Sequence, residues 1–457
     1  MTVAAPSPVG GQIRSRRQQQ GLTLVALAER SGLSQPFLSQ VENGRATPSM
    51  ESLYRIATAL GTTPQALFAG DDDTDTVIAR AADPDTFGVL YTVFMKPETE
   101  SAVVKIRLSR NADMVDWLKL RADPGRYSHF TGTGEVVVQD DEVRWTPPAE
   151  DAWLQYRVKL TSKRSNGQYD GMVTPQWALF RADDLVPPFH SSFQDFTRAS
   201  VKLQFRLPEG WSVETRYPRY TSGRFKVDDP RRSFDRPTGW LVMGEIGSRR
   251  TRIGSSRVTV AAPVGQGVHY LDILAFLRWT VPYVQEVFPA FPERLLLVSG
   301  GDPLWRGALS APGSLYVHSD RPMISGNGTS TFIHELIHVA MRARSGPGAD
   351  WIVEGLAEYY SLEILRRSGA ISETRYEKAQ HELAEWGKEA PRLDVARASG
   401  PVTARAVGVL RDIDREIRRN SGGAHSLDDV ARALAADEGP VTVPRFEELV
   451  AQMSAAP

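Results

Sequence analysis

"FIHELIHVAM", residues 332–341, is the stretch on which the larger part of this 457-residue chain turns. It reads as a helix. Residues four apart on a helix share a face, with Cβ atoms about 5–6 Å apart. The imidazoles of His334 and His338 can therefore converge on one zinc ion. Glu335, rotated by one residue, can act as general base toward a water at that metal. Thr329, Ser330 and Thr331 offer an N-cap immediately before the helix. The pattern is short, and its competing reading is an ordinary helix that carries two histidines.

A catalytic zinc needs a third protein ligand and an open position. "WIVEGLAEYY", residues 351–360, supplies both Glu354 and, one turn later on the same face of a second predicted helix, Glu358. Glu354 is the candidate third ligand. Glu358 is placed to accept a hydrogen bond from a ligating histidine and so fix its ring. "RARSGPGAD", residues 342–350, gives the break between the two helices. The chain has no cysteine, so disulfides and thiolate zinc sites are excluded and any Zn2+ rests on His and carboxylates.

This combination resembles the gluzincin metallopeptidases, which include thermolysin, the aminopeptidase N family and the glycyl aminopeptidases. The resemblance implies Zn2+ as cofactor, with His334, His338 and Glu354 as its ligands, Glu335 as general base and Glu358 as the orienting carboxylate. It implies hydrolysis of a peptide or protein substrate through a zinc-activated water. It extends more faintly over residues 90–450, through "LPEGWSVET" at 207–215 and "IDREIRRNSGGAHSLDDVARAL" at 413–434. The chain also departs from that family. The spacer between His338 and Glu354 is short. "RGALSAPGSLYVHSD", 306–320, lacks the glutamate that holds a substrate's free amino group. "PVTARAVGVLRDIDREIRR", 401–419, lacks the tyrosine that stabilises the oxyanion, leaving Tyr359, Tyr360, Tyr376 and His381 as the nearby substitutes.

Working outward, residues 9–69 read as short helices, and "GDDDTDTVIARAADPDTFG", 70–88, as an acidic boundary. From 89 to 262 the chain is strand-like. "GVLYTVFM" (88–95), "SAVVKIRLS" (101–109), "GEVVVQDDEVRW" (134–145), "LQYRVKLTS" (154–162), "VKLQFRLPEGWSVETRY" (201–217) and "GWLVMGEIG" (239–247) are short, rich in β-branched and aromatic residues, and separated by turns. A sandwich is expected there, followed by the first strands of the next unit. Beyond 263 a helix is expected over 270–287, strands at "ERLLLVSGG" (293–301) and "GSLYVHSD" (313–320), then helices to the end. His318 closes the second of these strands and is a candidate for the substrate cleft. The expected architecture is multidomain. It comprises an all-α helix-turn-helix domain (1–70), an acidic linker (71–88), a β-rich domain (89–262) and an α+β zincin-like domain with C-terminal helices (263–457).

The N-terminal part carries its own signature. "LTLVALAERSGLSQPFLSQVENGRATPSMESLYRIATALG", 22–61, gives one helix an apolar face through Leu24, Leu27 and Ala28, a turn at Gly32, and an N-cap at Ser34. Leu38 and Val41 face inward, which leaves Gln35, Ser39 and Gln40 to face out. Amides can bond adenine edges in a major groove. Asn43, Arg45 and Thr47 follow where phosphate contacts are useful. Residues 1–70 hold six arginines, no lysine and three glutamates within a chain of net charge −1. "LSQVENGRATPSMESLYRIATAL", 38–60, closely resembles the XRE family of lambda-repressor-like domains. The resemblance implies a DNA operator as partner, with Gln35, Ser39 and Gln40 reading bases and Asn43 and Arg45 holding the backbone. It also implies self-association as a homodimer.

The N-terminus has no apolar core of a secretory signal. "YLDILAFLRWTVPYVQEVF", 270–288, is interrupted by Asp272, Arg278 and Glu286, so it reads as an amphipathic helix and not a membrane span. A cytoplasmic location is expected. Three functional readings stay open: an active zinc peptidase with a DNA-binding domain, a transcriptional regulator whose zincin-like part is a sensor or pseudoenzyme, and two halves with no functional connection.

Overall fold

A computed structural model describes residues 22–44, 46, 48–60, 86–109, 111–228 and 233–455, together with Gly10, Ile13, Arg14 and Arg17. The acidic stretch expected as a linker lies outside the described residues as far as residue 85.

Three short helices lie within residues 22–60: α1 (Leu24–Ser31), α2 (Gln35–Glu42) and α3 (Met50–Ala59). Each is started by a hydroxyl that accepts from a first-turn N–H: Thr23 from Ala26, Ser34 from Phe37, and Ser49 from Ser52. Gly32 ends α1 at φ 64°, a left-handed conformation that costs glycine little. The Arg55 guanidinium donates to the carbonyls of Ser31 and Gly32, so the end of α1 is satisfied by α3. Ile13, Leu27, Leu38, Val41, Leu53 and Ile56 form the core, and Arg17 grips Glu42 with two hydrogen bonds of 2.7 and 2.9 Å beside it.

Residues 86–244 form three sheets, where the sequence pattern suggested a two-sheet sandwich. The long strands Thr86–Lys96 and Ser101–Ser109 pair antiparallel in a six-stranded sheet. Along the first, Phe87, Val89, Tyr91, Val93 and Met95 alternate inward. They meet Leu118, Leu120, Val143 and Trp145 from a four-stranded sheet. The third sheet explains the extra layer. Its strands Trp177–Arg181 and Trp240–Gly244 are buried on both faces. Ala178, Phe180, Leu241 and Met243 close the β core, while Trp177, Leu179, Trp240 and Val242 turn the other way onto Leu296, Val298 and Tyr316.

Those last residues belong to a mixed five-stranded sheet. Its order is Ile246–Ile253, Ser256–Pro263, Arg294–Gly300, Ser314–His318 and Ala308–Ala311, with the middle three parallel and both edges antiparallel. Helix α4 (Tyr270–Val287) is the crossover that two neighbouring parallel strands require. It is amphipathic, and among the described residues no helix is long and apolar enough to cross a membrane. The remaining helices are α5 (Thr331–Met341), α6 (Asp350–Arg367), α7 (Glu373–Gly387), α8 (Pro401–Asn420), α9 (Leu427–Ala436) and α10 (Val443–Ser454). They share one core with the helix-side face of the sheet. The sequence of a helical module, a β-rich region and a mixed sheet under helices makes the chain multidomain, in the order expected.

Candidate metal centre

Helix α5 starts where Ser330 accepts from the Ile333 N–H at 3.3 Å, and it buries Phe332, Ile333, Leu336 and Ile337. Burial of that stripe against the sheet fixes the opposite face, which carries His334 and His338. Their Nε2 atoms lie 3.2 Å apart. Helix α6 packs alongside and brings Glu354 to both: its carboxylate oxygens are 3.4 Å from His334 Nε2 and 3.6 Å from His338 Nε2. One donor atom from each residue lies within 4.8 Å of the others. Glu358, one turn further along α6, bonds His334 Nδ1 at 2.9 Å, which leaves Nε2 facing the centre. Two ring nitrogens and a carboxylate converging in this way suit a dication of borderline softness.

The electrostatics follow from that crowding. Burial alone pushes the His334 imidazole down, but the hydrogen bonds it donates to the carboxylates of Glu354 and Glu358 carry it up to about 10. Burial opposes the charge on Glu354, yet the two imidazoles hold it well below the usual carboxylate range.

Glu335 does not join the three donors. It points toward the sheet edge, where its Oε2 accepts from the Ser310 N–H at 2.7 Å. The edge strand Ala308–Ala311 is itself held from behind, since Trp240 Nε1 donates to the Leu309 carbonyl at 2.9 Å. The β-rich region therefore sets the position of the strand to which the candidate base is tied.

Gly355 has a steric reason to follow Glu354. A Cβ at this position would lie 2.7 Å from the Ala406 Cβ and 3.0 Å from Leu410 Cδ1, both on α8. The absence of a side chain lets α6 and α8 approach closely. Gly355→Val is expected to cost at least the roughly 1–3 kcal/mol typical of overpacking. Thermal unfolding of the variant measures this, and an unchanged melting temperature would contradict the packing argument.

A cleft of about 330 Å³ opens beside His334, Glu354 and Glu358. Its far wall is Leu383 and Trp386 from α7, the loop residues Arg397 and Ser399, and Thr403 from α8. Asp350, the first residue of α6, fastens this loop by accepting from the Ala398 N–H at 2.7 Å. Sequence reading missed these wall residues, because nothing local marks a loop that becomes a neighbour only through the packing of α7 and α8. The suggested tyrosine substitutes are placed elsewhere. Tyr359 is buried, Tyr360 donates to Asp428 at 2.9 Å and Tyr376 bonds Glu363. Neither these nor His381 lines the cleft. His318 is also fully buried and faces away: its Nδ1 accepts from the Asp320 N–H, and burial lowers its affinity for a proton.

In the N-terminal module, Gln35 and Gln40 are exposed on α2 and Ser39 is half-buried. The exposed Asn43 ends the helix, with its side-chain amide donating to the Ser39 carbonyl at 2.8 Å. Arg45 and Thr47 lie outside the described residues.

Comparison with known proteins separates the two parts. A helix-turn-helix family model matches residues 13–67. An uncharacterized HTH-type transcriptional regulator of Mycobacterium tuberculosis is 46% identical over 59 residues, 13% of this chain and 42% of that protein. The match thus spans less than half of that relative. An uncharacterized HTH-type transcriptional regulator of Sinorhizobium fredii is 39% identical over 66 residues, 14% of this chain and 86% of that protein. Among solved structures, an aminopeptidase N family protein from Idiomarina loihiensis superimposes with a TM-score of 0.56 at 14% identity, over 80% of this chain and 71% of that one. This second likeness is one of fold.

Proposed function

The N-terminal segment belongs to the helix-turn-helix family, and from that premise we propose that the chain is a sequence-specific DNA-binding protein fused to a zinc-dependent peptidase of gluzincin type. The observation that carries the peptidase reading is the convergence of His334, His338 and Glu354, with Glu358 behind one ring and Glu335 on the same helix, tied to the Ser310 N–H. The aminopeptidase-like fold supports it. In this reading residues 1–70 take an operator through Gln35, Ser39, Gln40, Asn43 and Arg45, as a homodimer in the cytoplasm, and the cleft takes a peptide.

His334, His338 and Glu354 would hold Zn2+. When bound, zinc supplies a Lewis acid for the scissile carbonyl and makes water more acidic. The remaining work falls to side chains. Glu358 keeps the His334 ring oriented. Glu335, steadied by the Ser310 N–H, takes a proton from the attacking water and passes it to the leaving amine. Arg397, Ser399 and Thr403 offer donors for the carbonyl oxygen as it gains charge, the role for which no tyrosine is at hand. Leu383 and Trp386 present an apolar wall to a substrate side chain.

Zinc content tests the site directly. The purified chain is expected to hold about one zinc. Glu354→Ala should abolish retention through dialysis, and Glu358→Ala should weaken affinity by about 10–100-fold. Elemental analysis and competition with a chelating dye measure both. A Glu354→Ala protein that keeps its zinc would remove that residue from the ligand set. One observation favours a second reading, a regulator with a zincin-like sensor: among the described residues no tyrosine lines the cleft. Zinc bound without cleavage of any member of a broad peptide library would select it.

A further inference from the structure

The mixed sheet carries a row of arginines on the face turned away from its helices. The register sets Arg252 opposite Arg257, and Arg257 beside Arg294, across three adjacent strands. Residues directly opposite one another share a face. Val258 and Leu295, each next in sequence, point into the helix-side core, so Arg257 and Arg294 project from the other side. Arg250, two positions before Arg252, lies on that face as well. Like charges directly opposite one another destabilise a sheet. At Arg294, burial first and then the charges of Arg257 and Arg250 lower the guanidinium below its usual range, against the opposing charge of Glu214.

Little within the described residues neutralises the row. Glu214 bonds Arg250 and Ser248. Among the described residues Arg252, Arg257 and Arg294 form no ion pair with a carboxylate, although the charge of Glu214 reaches Arg294. Arg252 and Arg257 are exposed, and the strand Ile246–Ile253 is the outer edge of the sheet, so the row opens to solvent. A fold that keeps three facing cations across adjacent strands has an opportunity to bind a polyanion.

We propose that this face, centred on Arg252, Arg257 and Arg294, is a second DNA contact that takes the phosphate backbone of a duplex without reading its sequence. Guanidinium forks match phosphate oxygens bidentately. Three adjacent strands space their stems about 4.8 Å apart, so flexible arginine side chains can reach successive phosphates. The helix-turn-helix segment makes duplex DNA the polyanion to which this chain is most directly exposed, and to that extent the inference rests on the DNA-binding reading above. A backbone contact of this kind adds affinity and salt dependence but no sequence preference.

The test uses the full chain and a random-sequence 30-base-pair duplex, with binding followed by fluorescence anisotropy over a range of salt concentrations. One variant carries Arg252→Ser, Arg257→Ser and Arg294→Ser, and a second carries lysine at the same three positions. If each arginine meets one phosphate, the serine variant should lose nearly 3 from the slope of log K against log salt, at about 0.9 per contact. The lysine variant should keep the slope, and equal melting temperatures would exclude misfolding as the cause. An unchanged slope in the serine variant overturns the inference and leaves the row to an acidic partner, such as residues 71–75 of this chain. Absence of duplex binding by the wild type at low salt overturns it too. If no specific operator emerges from selection but the slope still falls in the serine variant, the operator reading fails and this surface stands.

Discussion

Glu335→Gln is expected to lower kcat on a cleaved peptide by about 10²–10⁴-fold, while zinc content stays near one per chain. The two measurements separate because Glu335 is not among the three converging donors. Its carboxylate instead accepts from the Ser310 N–H. A glutamine keeps a carbonyl oxygen for that bond, so the edge strand and the α5 helix should stay in place. What is lost is the capacity to take a proton from water and return it to the amine. Turnover on a fluorogenic peptide mixture, with zinc measured on the same sample, decides the point. Wild-type turnover in the variant would remove Glu335 from the reaction. A kcat loss accompanied by zinc loss would mean that the substitution had disturbed the ligand set.

The second large effect is expected at the other end of the chain. Gln35→Ala and Gln40→Ala together should erase most of the preference for an operator over unrelated duplex. A good bidentate contact to a base is worth roughly 1–3 kcal/mol of discrimination, so two independent contacts amount to roughly thirty-fold at least and to about twenty-thousand-fold at most. Both side chains are exposed on α2 and outside the core of Leu27, Leu38 and Val41. Their removal should leave the unfolding temperature nearly unchanged. Binding to a selected operator and to a shuffled duplex, compared at one salt concentration, gives the ratio. A double variant that discriminates as well as the wild type would place base reading on other residues.

The features legible in the sequence are those set by local periodicity. His334 and His338 share a face because a helix repeats every 3.6 residues, and Glu354 and Glu358 share one for the same reason. Strands such as Thr86–Lys96 declared themselves by alternation. Trp177–Arg181 did not, because it is buried on both faces and presents an unbroken apolar run. That missed strand is the centre of the third sheet, whose neighbour Trp240–Gly244 lies in a stretch that does read as a strand. The link from Glu335 to Ser310 and the cleft wall at Arg397, Ser399 and Thr403 were equally hidden. Each joins segments brought together by packing, and no short-range pattern records such a meeting.

The close approach of α6 and α8 at Gly355 has a wider consequence. The residue that holds Glu354 in place is a neighbour with no side chain, pressed against Ala406 and Leu410. The position of the third donor is therefore set by a helix some fifty residues downstream in the chain. Any loosening of the C-terminal helices, by truncation, heat or proteolytic nicking, would move Glu354 before it disturbed His334 and His338, which ride on a helix seated against the sheet. If the site holds zinc as proposed, its release would then precede global unfolding and serve as an early gauge of damage to the C-terminal helices.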